Sequence, residues 1–297
     1  MNIGKKIKNL RIEKMMTQSE LAGAEITRNM LSQIENGSAN PSISTVIYLA
    51  KKLGVPAGYL LSEGDEEFLY VKTAAMRNIK RAYADRNFEL CRDMCMSSFD
   101  EYDDELQLIV TDCCIGQAEQ CIKNGKLHKA RELLDEALSH AEKTVYTTSV
   151  QKSRIFVMFK LLKEISPSLD SNEVDTEISD GMMTPNIFED TFCKYITMIF
   201  NVGKNTDISE CICDEDPCSK LFVSHLKARK CMSAGDHKRA IAILNELIDG
   251  EQILPMVLLY FACMDMEICC KHINDYKGAY EFSANKIDIF ERMLAQR

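Results

Sequence analysis

Five side chains that could read the edges of base pairs stand within six residues: Arg28, Asn29, Met30, Ser32 and Gln33. Arginine can grip guanine with two donors, asparagine and glutamine can pair two-pronged with adenine, and methionine can touch the thymine methyl. A second constellation, Cys211, Cys213 and Cys218 followed by His225, offers three thiolates and an imidazole of the kind that hold zinc. Its Cys-x-Cys spacing is not that of a standard zinc knuckle. These four are expected to be ordinary residues, and no metal or other cofactor is expected. None of the five histidines stands with a Ser or Cys in a nucleophile motif, and there is no Gly-rich phosphate loop. Catalysis has no positive support, so an enzyme is not expected.

A base-reading set needs a helix to hold it, and start and stop signals place five short helices in the first sixty residues. The first covers roughly Ile3 to Lys14, with Ile3, Ile7 and Leu10 on one face. Thr17-Gln-Ser-Glu20 is a capping box opening a second helix that ends near Ala24. Thr27 is a good N-cap for a third, which stops at Gly37, an expected left-handed residue. Ser42 opens the fourth, carrying Ile43, Val46, Ile47, Leu49, Ala50 and Leu53 before Gly54 ends it. Pro56 suits the first position of a fifth with Tyr59, Leu60 and Leu61. On the third helix Leu31 and Ile34 face the core, which leaves the five candidate readers outward or near its start. Two short helices joined by a tight turn, the second displaying polar groups, describe a helix-turn-helix. The amides at the starts of the second and third helices suit phosphate oxygens. Double-stranded DNA is the expected partner; docking of a protein on the same face is the alternative.

The charge balance agrees with a division of labour. Residues 1–61 carry eight Lys or Arg against four Asp or Glu, a net +4, and the remainder carries −13. A small basic module on a large acidic body suggests that only the module meets a polyanion. At 297 residues the chain fits two domains, expected at 1–64 and 65–297, with Ser62-Glu-Gly-Asp-Glu-Glu67 as a polar linker. Sparse punctuation, 6 Pro and 13 Gly, favours long helices and an all-α fold. The thirteen cysteines are expected mostly as small buried hydrophobes. The most apolar stretch, Ile253 to Cys263, is interrupted by Pro255, and the N-terminus does not look like a signal peptide. A cytoplasmic protein without membrane contact is expected.

Thr17-Gln-Ser-Glu-Leu-Ala22, Leu31-Ser-Gln-Ile-Glu-Asn-Gly37, Asn40-Pro-Ser42 and Leu53-Gly-Val55 closely resemble the Xre/Cro family of phage-repressor-like helix-turn-helix domains over residues 3–61. The resemblance implies a five-helix lambda-repressor-like fold. It also implies that Gln18 contacts a phosphate, that Arg28, Asn29 and Gln33 read bases, and that Asn36 anchors the backbone. Arg11 would pair with Glu35 as a structural couple. One departure stands out: Gly-Ala-Glu-Ile between Ala22 and Thr27 is one residue shorter than the usual turn. Ile26 is expected to fill the apolar turn position and Gly23 to relieve crowding.

In the body a faint repeat is visible. Gly125-Lys-Leu-His-Lys-Ala130, Gly235-Asp-His-Lys-Arg-Ala240 and Asn274-Asp-Tyr-Lys-Gly-Ala279 share one form, with Asn87-Phe-Glu-Leu-Cys91 as a degenerate fourth copy. These segments resemble tetratricopeptide repeats, which stack helix hairpins into a superhelix with a concave groove. The region from Ser166 to Pro185 breaks the pattern. An Xre-like head on such a body resembles the Rgg and PlcR-type regulators, which implies a homodimer and a signalling peptide held in the groove. Asn201, Lys204 and Asn205 are candidate groove residues, as polar side chains beside apolar helices. The competing reading is a repeat body that only dimerises or docks a protein, with no small effector.

Overall fold

A computed structural model describes residues 2–63, 65–167, 190–201 and 218–296, and among them it contains helices and no strands. Two compact units, 1–81 and 82–297, divide within the helix Asp65–Ala84.

The first unit begins with α1 (Ile3–Glu13), α2 (Gln18–Ala22), α3 (Arg28–Glu35), α4 (Ile43–Leu53) and α5 (Ala57–Leu61), followed by α6 (Asp65–Ala84). Each of the predicted caps forms. Thr17 and Glu20 close the reciprocal capping box, Thr27 Oγ1 accepts from the Met30 amide at 3.1 Å, and Ser42 Oγ accepts from the Thr45 amide at 3.2 Å. Gly37 and Gly54 both adopt positive φ. Pro56 differs from expectation: its extended ψ of 140° places it as the N-cap of α5, one residue outside the helix. The core is built from Ile7, Leu21, Leu31, Ile34, Leu49 and Leu53, among others, each 1% exposed or less.

Lys6 is buried within this unit, and sequence periodicity gave no hint of it. Its ammonium donates to the Tyr59 carbonyl at 3.0 Å, the Ser62 carbonyl at 2.7 Å and the Ser62 hydroxyl at 3.1 Å. It thereby satisfies carbonyls at the end of α5 that the helix itself cannot, and a cation suits that end of the dipole.

The second unit holds α7 (Phe88–Ser98), α8 (Asp104–Lys123), α9 (Leu127–Lys143), α10 (Ser149–Ile165), α11 (Thr191–Asn201), α12 (Ser219–Ser233), α13 (His237–Ile248), α14 (Met256–His272) and α15 (Tyr276–Ala295). Antiparallel pairs recur, with α8 on α9, α12 on α13 and α14 on α15. The repeat seen in the sequence is a repeat of one turn. Gly125, Gly235, Asn274 and Arg86 have φ of 81°, 82°, 61° and 55°, and each stands two residues before the helix that follows. The next amide then reaches back to the preceding helix in every case: Lys126 to Cys121, Asp236 to Cys231, Asp275 to Cys270 and Asn87 to Ala82, at 2.8–3.0 Å. This is the Schellman pattern of a helix C-terminus. Five residues after each left-handed residue the small side chain is buried: Ala130, Ala240, Ala279 and Cys91. The degenerate copy thus repeats the turn in full, with Arg86 taking the left-handed place of glycine. Most of the region 166–185 lies outside the described residues.

Candidate nucleic-acid interface

The candidate site is the segment α2–turn–α3. Helix α3 is eight residues long and is held from one side by Leu31 (0% exposed) and Ile34 (1%). Thr27, Arg28, Asn29, Gln33 and Asn36 are exposed, whereas Met30 and Ser32 are only half-buried. Met30 packs on the core, so its side chain is shared between the interior and the outer face. Among the five candidate readers, Met30 is thus the one that also serves the core. The helix has only two turns, and its third residue must rest against the neighbouring elements.

Glu35, the last residue of α3, is the electrostatic hinge of the segment. Arg11 on α1 donates to it from Nε at 2.6 Å and from Nη2 at 3.0 Å, and the Arg11 Nη1 donates to the Met16 carbonyl at 2.9 Å. The predicted Arg11–Glu35 pair is therefore present and two-pronged. Gln18 joins it, donating from Nε2 to Glu35 Oε2 at 2.9 Å. Burial works to raise the Glu35 pKa, but the hydrogen bonds from Arg11 and Gln18 outweigh it and hold the carboxyl below its usual range. An ionised carboxylate only accepts, so the Gln18 amide must turn its nitrogen toward Glu35. Its carbonyl oxygen and second N–H remain for another partner. The sequence-predicted phosphate contact at Gln18 thus starts from a side chain already held in place.

The turn itself is built around Gly23, at φ 57° and ψ −137°, a conformation that side chains rarely adopt. Ile26 is half-buried and packs on the core, as the apolar turn position requires. Two α4 residues that sequence patterns did not single out meet the turn: Tyr48 Oη donates to the Ala22 carbonyl at 2.9 Å, and Lys52 Nζ donates to the Glu20 carbonyl at 3.0 Å.

The candidates in the body are less assembled. Asn201 is exposed at the end of α11, while Lys204, Asn205, Cys211 and Cys213 lie outside the described residues. His225 is fully buried, and both ring nitrogens are taken. Nδ1 lies 2.9 Å from the Tyr195 hydroxyl and Nε2 lies 3.0 Å from Asp265 Oδ2. Arg229 grips the same carboxylate at 2.7 and 3.0 Å and donates to the Ile199 carbonyl at 2.7 Å. This chain of four side chains ties α11, α12 and α14 together, which is a packing role for His225. Among the described residues no helix is long and apolar enough to cross a membrane.

A family model described as helix-turn-helix matches residues 7–60. The cryptic phage CTXphi transcriptional repressor RstR of Vibrio cholerae is 31% identical over 97 residues, covering 31% of this chain and 87% of that protein. The immunity repressor protein of Bacillus phage phi105 is 38% identical over 64 residues, covering 21% of this chain and 44% of that protein, so the match spans less than half of its length. Among solved structures, Bacillus thuringiensis PlcR in complex with the peptide PapR7 and DNA is 15% identical over 99% of this chain and 96% of that one, with a TM-score of 0.26. Streptococcus vestibularis ComR with its cognate signalling peptide XIP is 16% identical over 90% and 98%, with a TM-score of 0.25. Scores of that size are too low to equate the folds.

Proposed function

The chain belongs to the helix-turn-helix family of DNA-binding transcription regulators, and we propose that α3 reads a specific operator through Arg28, Asn29 and Gln33. The observation that carries this reading is the division of α3. Leu31 and Ile34 are locked in the core, while Thr27, Arg28, Asn29, Gln33 and Asn36 are exposed. Exposed Arg, Asn and Gln on a helix that fits the major groove can pair with guanine and adenine edges. Gln18 and Asn36, at the flanks, then contact the sugar–phosphate backbone, which sets register without reading sequence. The basic balance of residues 1–61, against −13 for the rest, directs this unit alone to DNA.

The protein acts as a homodimer with two heads about one DNA turn apart. An effector held by the repeat body, a peptide or another small ligand, shifts those heads, and this needs different affinities for two conformations. Asn201 is the described residue proposed to line that site, with Lys204 and Asn205 beyond it in sequence. Support comes from the repeated hairpins, an architecture suited to extended ligands, and catalysis plays no part. A second reading, a body that only dimerises, draws on the exposed Tyr276, Tyr280 and Ile287 of α15. Selection of bound fragments from random DNA tests the head, since it returns half-site and spacing together. Recovery of no preferred sequence would overturn operator reading, and preferred half-sites without fixed spacing would overturn the dimer. Calorimetry with candidate peptides tests the body: no heat, with operator affinity unchanged, favours the second reading.

A further inference from the structure

The shortened turn before α3 poses a physical problem that α4 solves. Helix α2 has only five residues, so its last carbonyls lack partners within the helix. A turn one residue short also leaves little backbone to absorb error in the direction of α3. Three residues far apart in sequence occupy this spot together. Gly23 supplies the backbone conformation, and a Cβ there would overlap the Tyr48 hydroxyl and lie 2.8 Å from Lys52 Nζ. Tyr48 and Lys52 thus fill the volume that the glycine leaves empty. From it they donate to the Ala22 and Glu20 carbonyls at 2.9 and 3.0 Å. The Lys52 ammonium adds a positive charge at the negative end of α2, and it lies 5.8 Å from the Tyr48 ring centroid.

We infer that Tyr48 and Lys52 are positioning residues for sequence reading: by pinning the end of α2 they set the angle at which α3 leaves the turn. Both act through backbone carbonyls and neither needs to touch a base. Misplacement of a binding group by about 1 Å is enough to lose much of its effect. The clamp therefore contributes to discrimination between sequences and leaves the general attraction to DNA intact. This inference rests on the operator-reading proposal for α3.

The test uses the full-length chain and the fragment that it selects best from random DNA, compared with a scrambled fragment across a salt series. Tyr48→Phe removes one hydroxyl and keeps the packed ring, so the variant keeps its thermal unfolding transition. Its ratio of selected to scrambled affinity is expected to fall about three- to tenfold, the range that one hydrogen bond spans. Its salt slope stays that of the wild type, because no phosphate contact is lost. Lys52→Met is expected to behave alike, and Lys52→Arg, which keeps a donor for the Glu20 carbonyl, restores the ratio. Gly23→Ala is expected to lower the ratio further where it folds. An unchanged ratio in Tyr48→Phe and Lys52→Met overturns the inference alone. So does a salt slope shallower by about one in Lys52→Met, which would make Lys52 a phosphate contact. A wild type that selects no fragment overturns the operator reading and this inference with it.

Discussion

Arg11 and Glu35 meet two-pronged, at 2.6 and 3.0 Å, between the first helix and the last residue of the reading helix, and Glu35 is 4% exposed. Removing one partner strands the other charge in the interior, which costs about 3–5 kcal/mol. Arg11→Met is therefore expected to lower the unfolding free energy by about 3 kcal/mol in urea titration. Arg11→Lys is expected to recover only part of it, since an ammonium cannot make the planar fork. Equal stability of Arg11→Met and wild type would remove the pair from any account of the fold.

Arg28 is exposed on α3, where the operator-reading proposal gives it a base contact. Arg28→Ala is expected to weaken operator binding about tenfold or more, within the range of one two-pronged base contact, while the unfolding temperature stays unchanged. Gel shifts on selected and scrambled fragments check this. Unaltered binding and an unaltered salt slope would exclude Arg28 from the interface.

His225 contributes a pH dependence to the second unit. Burial pushes its pKa below 6.5, against the opposing pull of Asp265. The neutral ring satisfies both neighbours, donating to Asp265 and accepting from Tyr195. Because the folded value lies below the unfolded one, the unfolded chain takes up the proton first. The stability contributed by the neutral ring is present above about pH 6.5 and is lost as pH falls through the folded value. The thermal midpoint is expected to drop between pH 7.5 and 5.5, and His225→Gln is expected to flatten that drop. A midpoint that rises on acidification would contradict the neutral assignment.

Gly125 combines a φ of 81° with a tight neighbourhood, where a Cβ would overlap Met256 Sδ and lie 2.8 Å from Met293 Cγ. Gly125→Ala is expected to destabilise by about 1–2 kcal/mol from the left-handed backbone alone, with repacking of the two methionines on top. Gly235→Ala shares the backbone strain, φ 82°, and has open space around the new carbon. Denaturation of the two variants separates the terms, and equal losses would mean that the methionine contact is inconsequential.

What could be read from sequence is what is local. The Thr17–Glu20 box, the Thr27 and Ser42 caps, and the inward Leu31 and Ile34 each depend on residues three or four apart, and all form. The Arg11–Glu35 pair spans 24 residues and came from the family resemblance. Lys6 with Ser62, Tyr48 with Ala22, and His225 with Asp265 lie 56, 26 and 40 residues apart. No periodicity links such partners, because tertiary packing alone brings them together. A buried Lys6 in particular runs against its usual surface preference. Arg86 made the fourth repeat look degenerate for a related reason: the turn is written in backbone dihedrals, and a side chain able to tolerate positive φ can replace the expected glycine.

The four identical turns also decide where the second unit can articulate. Each is closed by two backbone hydrogen bonds, from the left-handed residue and from the residue after it. Bending within a hairpin would break both and expose helix-end carbonyls. Among the described residues, the segment 249–255 ahead of α14 carries no such double closure among its backbone bonds. Bending at one of the four turns therefore costs two backbone hydrogen bonds, whereas the segment 249–255 holds no such pair to break.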